Sequence, residues 1–212
     1  MRQLRFDTLS PFLLVHLHSN ELSAAEAAYT AACRWGAEFL QLVNNNERMI
    51  NFHHQGQRFQ FDPNRIFSAE GIRKTLLQSG IISDVAFTAV QRFSDSLLTI
   101  LARHHTIIAV HNNTDGRFNI RQYLQVDPDR VHINETQDED DFFITNDADF
   151  FAAIKAENYN VVWEDATRIE EDGSLSLYCN RNNIRYINVE AQHGRTAEQL
   201  AMLEVVKRVL DR

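Results

Sequence analysis

Short apolar runs alternate along this chain with longer stretches whose apolar positions recur every three or four residues. The runs at 12–15, 39–43, 106–110, 142–145, 160–163, 175–179 and 184–189 read as strands. Between them, 23–35, 68–80, 84–105 and 147–157 carry helical spacing, as does a C-terminal segment opening at Thr196. Leu22, Ala25, Tyr29 and Cys33 mark the inward face of the first helix. Phe87, Val90, Phe93, Leu97, Ile100 and Leu101 mark that of the third, and Leu200, Leu203, Val206 and Leu210 that of the last. Ser23-Ala24-Ala25-Glu26 and Thr196-Ala197-Glu198-Gln199 are capping boxes, Ser68 is a further cap, and Gly80 a stop. Residues 49–61 form either a hairpin or irregular chain. This alternation predicts a largely parallel or mixed sheet with helices on both faces.

Composition narrows the class. A chain of 212 residues with 44% hydrophobic content can fill one sizeable core, so a single domain is expected. The net charge of −8 argues against nucleic acid or an anionic membrane as partner. No apolar run approaches the roughly 20 residues needed to span a bilayer. The basic N-terminus is interrupted by Asp7 and does not make a signal peptide. The protein is therefore expected to be soluble, in the cytoplasm, or exported if a leader has been removed. Cys33 and Cys179 are too few and too far apart for a framework, and are expected as free, buried thiols.

The polar residues are most informative where apolar runs stop. Phe12-Leu13-Leu14-Val15 leads into His16-Leu17-His18-Ser19-Asn20-Glu21, which puts His18 and Glu21 on the loop between a strand end and a helix start. In an open α/β sheet such a loop lies at the carboxyl edge, where ligands bind. An imidazole and a carboxylate suit Zn2+, and a third ligand would leave one position open for water. The competing reading is structural: a strand-end histidine in an ordinary hydrogen bond, and a glutamate favoured by the helix dipole. Two more apolar runs end in chemistry, at His111 and at Glu190. A reactive residue past each of three strand ends is what a sheet-edge active site requires.

These residues carry a resemblance. His18-Ser19-Asn20-Glu21 resembles the His-Gly-Asn-Glu zinc motif of the succinylglutamate desuccinylase/aspartoacylase branch of the zinc carboxypeptidase-like proteins. Arg58 with Asp62-Pro63-Asn64-Arg65-Ile66-Phe67 is similar to that branch's Arg-Tyr and Asp-Leu-Asn-Arg-x-Phe segment. Val110-His111-Asn112-Asn113-Thr114 resembles its Leu-His-Asn-Thr, and Val189-Glu190-Ala191-Gln192 its Val-Glu-Val-Gly. The chain departs from the pattern at Ser19, at Pro63, at Ala191-Gln192 and in the shorter spacing from Arg58 to Asp62.

The resemblance implies a three-layer α/β/α fold, zinc carboxypeptidase-like or phosphorylase/hydrolase-like, around a central mixed, mostly parallel sheet. It implies one catalytic Zn2+ held by His18, Glu21 and His111, with Glu190 as general base. Arg58 becomes the candidate cation for the developing oxyanion, and Asn64 with Arg65 would grip a substrate carboxylate, which a guanidinium fork matches. The implied activity is zinc-dependent hydrolysis of an amide bond in a small molecule or short peptide with a free carboxylate, by a carboxypeptidase or an N-acyl-amino-acid amidohydrolase. One catalytic domain over 1–212 is expected, without the extra C-terminal β domain of many aspartoacylase-type members, so their substrates are not carried over. The alternative is a non-catalytic metal- or ligand-binding module that keeps the fold. A serine hydrolase is disfavoured because the Gly-x-Ser-x-Gly elbow is absent.

Other residues have plainer expectations. Arg117 and Arg121 are candidates for selecting an anionic substrate group, or else solvated loop charges. His16 is expected as a satisfied core histidine, and His53, His54, His104 and His105 as exposed. Asp138-Glu139-Asp140-Asp141 lacks the ligand spacing of an EF-hand loop and reads as a solvated acidic turn.

Overall fold

The computed structural model describes residues 1–4, 10–78, 80, 82–114, 116–165, 167 and 170–212. Its strands are β1 (Arg2–Leu4), β2 (Phe12–His16), β3 (Glu38–Gln41), β4 (Ile50–His54), β5 (Gln57–Phe61), β6 (Thr106–Asn113), β7 (Val131–His132), β8 (Phe142–Thr145), β9 (Val161–Trp163) and β10 (Arg185–Gln192). Its helices are α1 (Leu22–Trp35), α2 (Ala69–Gln78), α3 (Asp84–Leu101), α4 (Ala148–Ala156), α5 (Leu175–Arg181) and α6 (Thr196–Leu210). Eight strands form one mixed sheet in the order β1-β3-β2-β6-β10-β8-β9-β7, and β4 with β5 make a separate hairpin. The four central strands run parallel, β10 meets β8 antiparallel, and β8 and β9 run parallel again.

Alternation along the strands sorts the core into layers. Phe12 and Leu14 of β2, Ile108 and Val110 of β6, and Ile187 and Val189 of β10 bury one face of the sheet under α1, α4 and α6. Leu13, Val15, Ile107 and Ala109 bury the other face under the hairpin, α2, α3 and α5. A smaller cluster of Ile120, Phe142, Ile144 and Val162 covers the β8–β9 end. The expected α/β/α sandwich with a mixed, mostly parallel sheet is what the chain adopts. Gln55 and Gly56, both at positive φ, make the tight turn that closes β4 onto β5.

Several local expectations are corrected. Residues 175–179 form α5, not a strand: Ser174 caps the segment by accepting from Leu177 N–H, and Leu175 and Cys179 bury against the sheet. A five-residue apolar run cannot distinguish the two by pattern. Neither capping box forms, since α1 and α6 begin without a side-chain cap bond. Ser23 Oγ instead donates to Asn112 Oδ1 at 2.7 Å, and Gln199 is fully buried. The inward stripe of α1 is Ala24, Ala27, Ala28, Ala31 and Ala32, with Tyr29 and Cys33 exposed, because close packing of α1 requires small side chains. The third helix stops at Leu101 rather than 105, and His104 beyond it is buried against Glu38. Asp140 is likewise buried rather than solvated, and accepts from Gly116 N–H at 2.9 Å.

Candidate functional site

Three buried donor groups meet where β2 and β6 end. His18 comes from the loop after β2, Glu21 is the residue preceding α1, and His111 lies in β6. His18 Nδ1 and His111 Nδ1 face each other at 3.2 Å, and each lies 2.9 Å from a different oxygen of Glu21. A tetrahedral ion with bonds near 2.0–2.1 Å separates its ligand atoms by about 3.3 Å, so this spacing fits Zn2+. Among the described residues this is the one cluster of three that could hold a metal ion.

The surrounding groups prepare these donors. His18 Nε2–H donates to Asp62 Oδ1 at 2.7 Å, which leaves Nδ1 with its lone pair turned inward. Burial alone would depress the His18 pKa, but the bonds to Asp62 and Glu21 outweigh it and raise the value. Burial likewise pushes Glu21 and Asp62 up, yet His111 beside Glu21 and His18 beside Asp62 hold both carboxyls well below the usual range. Arg48 Nη1 reaches Glu21 Oε1 at 2.9 Å, and its Nη2 lies 3.5 Å from Asp62. His111 Nε2 is buried and meets no partner among the described residues. His16 is a core histidine, donating from Nε2 to Glu21 O at 2.9 Å, and burial lowers its pKa to about 4.

Glu190 reaches the same place through strand register. In the parallel β6–β10 pair it lies directly opposite His111. Tyr186, Asn188 and Glu190 alternate onto one face of β10 and line a cavity of about 610 Å³ that opens beside the three donors. Asn188 Nδ2 donates to Glu190 Oε1 at 2.9 Å, and burial pushes the Glu190 carboxyl up. Below the strand ends, Gln199 of α6 donates to His111 O at 2.9 Å and Val189 O at 3.2 Å, and accepts from Asn112 at 2.8 Å. Asn112 in turn receives the Ala24 N–H of α1 at 2.9 Å.

The remaining candidates divide. Asn64, Arg65 and Arg117 line the cavity. Asn64 Oδ1 also accepts Leu175 N–H at 3.0 Å, tying this segment to the start of α5. Arg58 does not come to the cavity: it sits exposed on the hairpin, with Nε and Nη2 on Asn51 Oδ1 at 3.1 and 2.8 Å. Arg121 is exposed and paired with Glu135 and Glu139, away from the cavity lining. Sequence reasoning passed over Arg48, which lies in a segment without periodic pattern. It also passed over Glu164, although that residue follows the apolar run at 160–163 just as His111 follows its own.

The sequence matches no known family profile and no curated protein. Similar folds do exist among solved structures. A candidate metallopeptidase from Shewanella amazonensis SB2B aligns with TM-score 0.46 and 11% identity over 98% of this chain and 79% of that one. Murein-tripeptide amidase from Escherichia coli O157 aligns with TM-score 0.43 and 9% identity over 98% and 85%. A candidate metallopeptidase from Shewanella baltica OS155 aligns with TM-score 0.51 and 10% identity over 98% of this chain and 78% of that one. At such identity the likeness is one of fold, and it does not single out the succinylglutamate desuccinylase/aspartoacylase branch. The chain has a metallopeptidase-like α/β/α fold with a mixed central sheet.

Proposed function

We propose that this protein is a zinc-dependent hydrolase that cleaves an amide bond in a small molecule or short peptide bearing a free carboxylate. The observation that carries the reading is the meeting of His18, Glu21 and His111 with Glu190 at the rim of one cavity. His18, Glu21 and His111 would hold the ion. When bound, Zn2+ supplies a Lewis acid that polarises the scissile carbonyl and acidifies water at the site.

The chain's own groups supply the rest. Glu190, its carboxyl raised by burial and steered by Asn188, accepts the proton of the attacking water and returns it to the departing nitrogen. Arg48 is the cation placed to face the charge that develops on the carbonyl oxygen, in the role the resemblance gave to Arg58. Asn64, Arg65 and Arg117 receive the substrate carboxylate. Metal analysis and a panel of peptides and acyl-amino acids, with free and amidated C-termini, test the reading. The zinc-loaded protein should hydrolyse the free acids, and Glu190→Gln should lose about 10²–10⁴-fold in kcat while keeping its zinc. Full activity in Glu190→Gln, or no rate above background with zinc bound, would refute it.

A further inference from the structure

Glu21 stands where two demands compete. It is the residue before α1, a position whose polar side chain ordinarily turns back to accept an N–H of the helix's first turn. Its carboxylate instead faces the imidazoles of His18 and His111, so the helix receives no cap bond from it. Ala24, the third residue of α1, is fully buried, and its N–H needs a partner from within the protein.

That partner comes from β6. Asn112 Oδ1 accepts Ala24 N–H at 2.9 Å, the bond a cap residue would make, and the Ser23 hydroxyl at 2.7 Å. An N–H can only donate, so this end of the amide is its oxygen. The amide nitrogen donates to Gln199 Oε1 at 2.8 Å and to the carbonyl of Ala191, the residue after Glu190, at 3.2 Å. The Asn112 backbone N–H meets Glu21 Oε2 at 3.2 Å, and Ser23 Oγ carries the link onward by accepting Gly194 N–H at 2.9 Å. One side chain, next in sequence to His111, thus bonds the start of α1 and the strand of Glu190.

On the metal-site reading above, we infer that Asn112 is a positioning residue. By capping α1 in place of Glu21 it frees that carboxylate for an ion, and by holding Ala191 O it fixes Glu190 beside His111. Without it, the Ala24 N–H and the positive end of the helix dipole would draw the Glu21 carboxylate back onto α1.

Zinc affinity, by competition with a chelator, and steady-state kinetics on the full chain and three variants test this. Asn112→Ala should lose about 10–100-fold in zinc affinity. Aspartate keeps the acceptor and ranks with asparagine as a cap, so Asn112→Asp should hold zinc within about threefold of the parent. Its lost grip on Ala191 O should lower kcat about tenfold or more with KM unchanged. Asn160→Ala is the control. Asn160 is 1% exposed and bonded at both ends of its amide, to Asn134 N–H and to the carbonyls of Asp138 and Asp141, outside the donor cluster. It should lose stability and keep its zinc affinity. Undiminished affinity in Asn112→Ala, or an equal loss in Asn160→Ala, overturns the inference. So does a loss of about tenfold in affinity, or an unchanged kcat, in Asn112→Asp, which decides alone if Asn112→Ala does not fold. Zinc bound with the expected ranking but no turnover sinks the hydrolase reading and leaves the hold on Glu21 standing. A parent that binds no zinc overturns both.

Discussion

Gly71 is the position where a single methyl should disturb both stability and substrate binding. A Cβ placed there would lie 2.3 Å from Gly173 Cα, 2.7 Å from Arg65 O and 2.9 Å from Gly173 N, all of them backbone atoms. Ordinary contact begins near 3.4 Å, so the segments must separate by 3.4 − 2.3 = 1.1 Å. Overpacking of this kind costs up to about 3 kcal/mol, offset by up to about 1 kcal/mol from the better helix propensity of alanine in α2. The net loss of about 2 kcal/mol corresponds to a fall in Tm of about 4–8 °C for a chain of this size. Gly36→Ala is the control. Gly36 has φ +64 with nothing within 4 Å, so it carries backbone strain alone, about 1–2 kcal/mol. Because the strained contact bears on Arg65 and on the loop that bonds Phe67 at 3.0 Å, Gly71→Ala should also raise KM for a carboxylate substrate, which Gly36→Ala should not. Calorimetry and steady-state kinetics on the two variants decide it. A Gly71→Ala protein as stable as the parent, with an unchanged KM, would refute the reasoning.

Three other outcomes are expected. Asp62→Asn, which weakens the hold on His18 Nε2–H, should cost about 10–100-fold in zinc affinity by competition with a chelator, and unchanged affinity would show that the bond does not orient the ring. Arg48→Met should lower kcat by about 10²-fold or more while Arg58→Met leaves it within about twofold, and the reverse ranking would restore Arg58 to the site. His104 has its pKa lowered from 6.5 by burial, with Glu38 opposing more weakly. The unfolded chain therefore takes up a proton near 6.5 that native His104 refuses, and its contribution to stability, present above that pH, is lost as pH falls through the native value. Denaturant unfolding of His104→Gln should show a flatter loss of stability on acidification below about 6.5 than the parent, and equal slopes would contradict the assignment.

What the sequence made legible follows from which forces are local. Apolar runs at 106–110 and 184–189 announce their strands because the central sheet is buried on both faces. His18, His111 and Glu190 could be picked out because each stands where such a run breaks into polar chemistry. The α5 segment was misjudged because five apolar-rich residues satisfy a strand and a buried helix alike, and the deciding bond, Ser174 to Leu177 N–H, lies outside the run. Arg58 was expected at the cavity and Arg48 was passed over for a related reason. A guanidinium is assigned by what it faces, and the hairpin turns Arg58 toward Asn51 while an irregular segment brings Arg48 to Glu21. The Ser23 and Thr196 boxes failed because tertiary partners claimed their side chains: Asn112 takes the Ser23 hydroxyl, and His111 O and Val189 O take the amide of the buried Gln199.

Gln199 has a bearing on how the protein would be inactivated. One amide, carried by a helix near the C-terminus, stitches the backbone beneath His111 to the backbone beneath Glu190 and to the side chain that starts α1. Fraying of that last helix would slacken the donors and the base together while most of the sandwich stayed folded. Proteolytic cleavage within α6 should therefore silence the site well before global unfolding registers it.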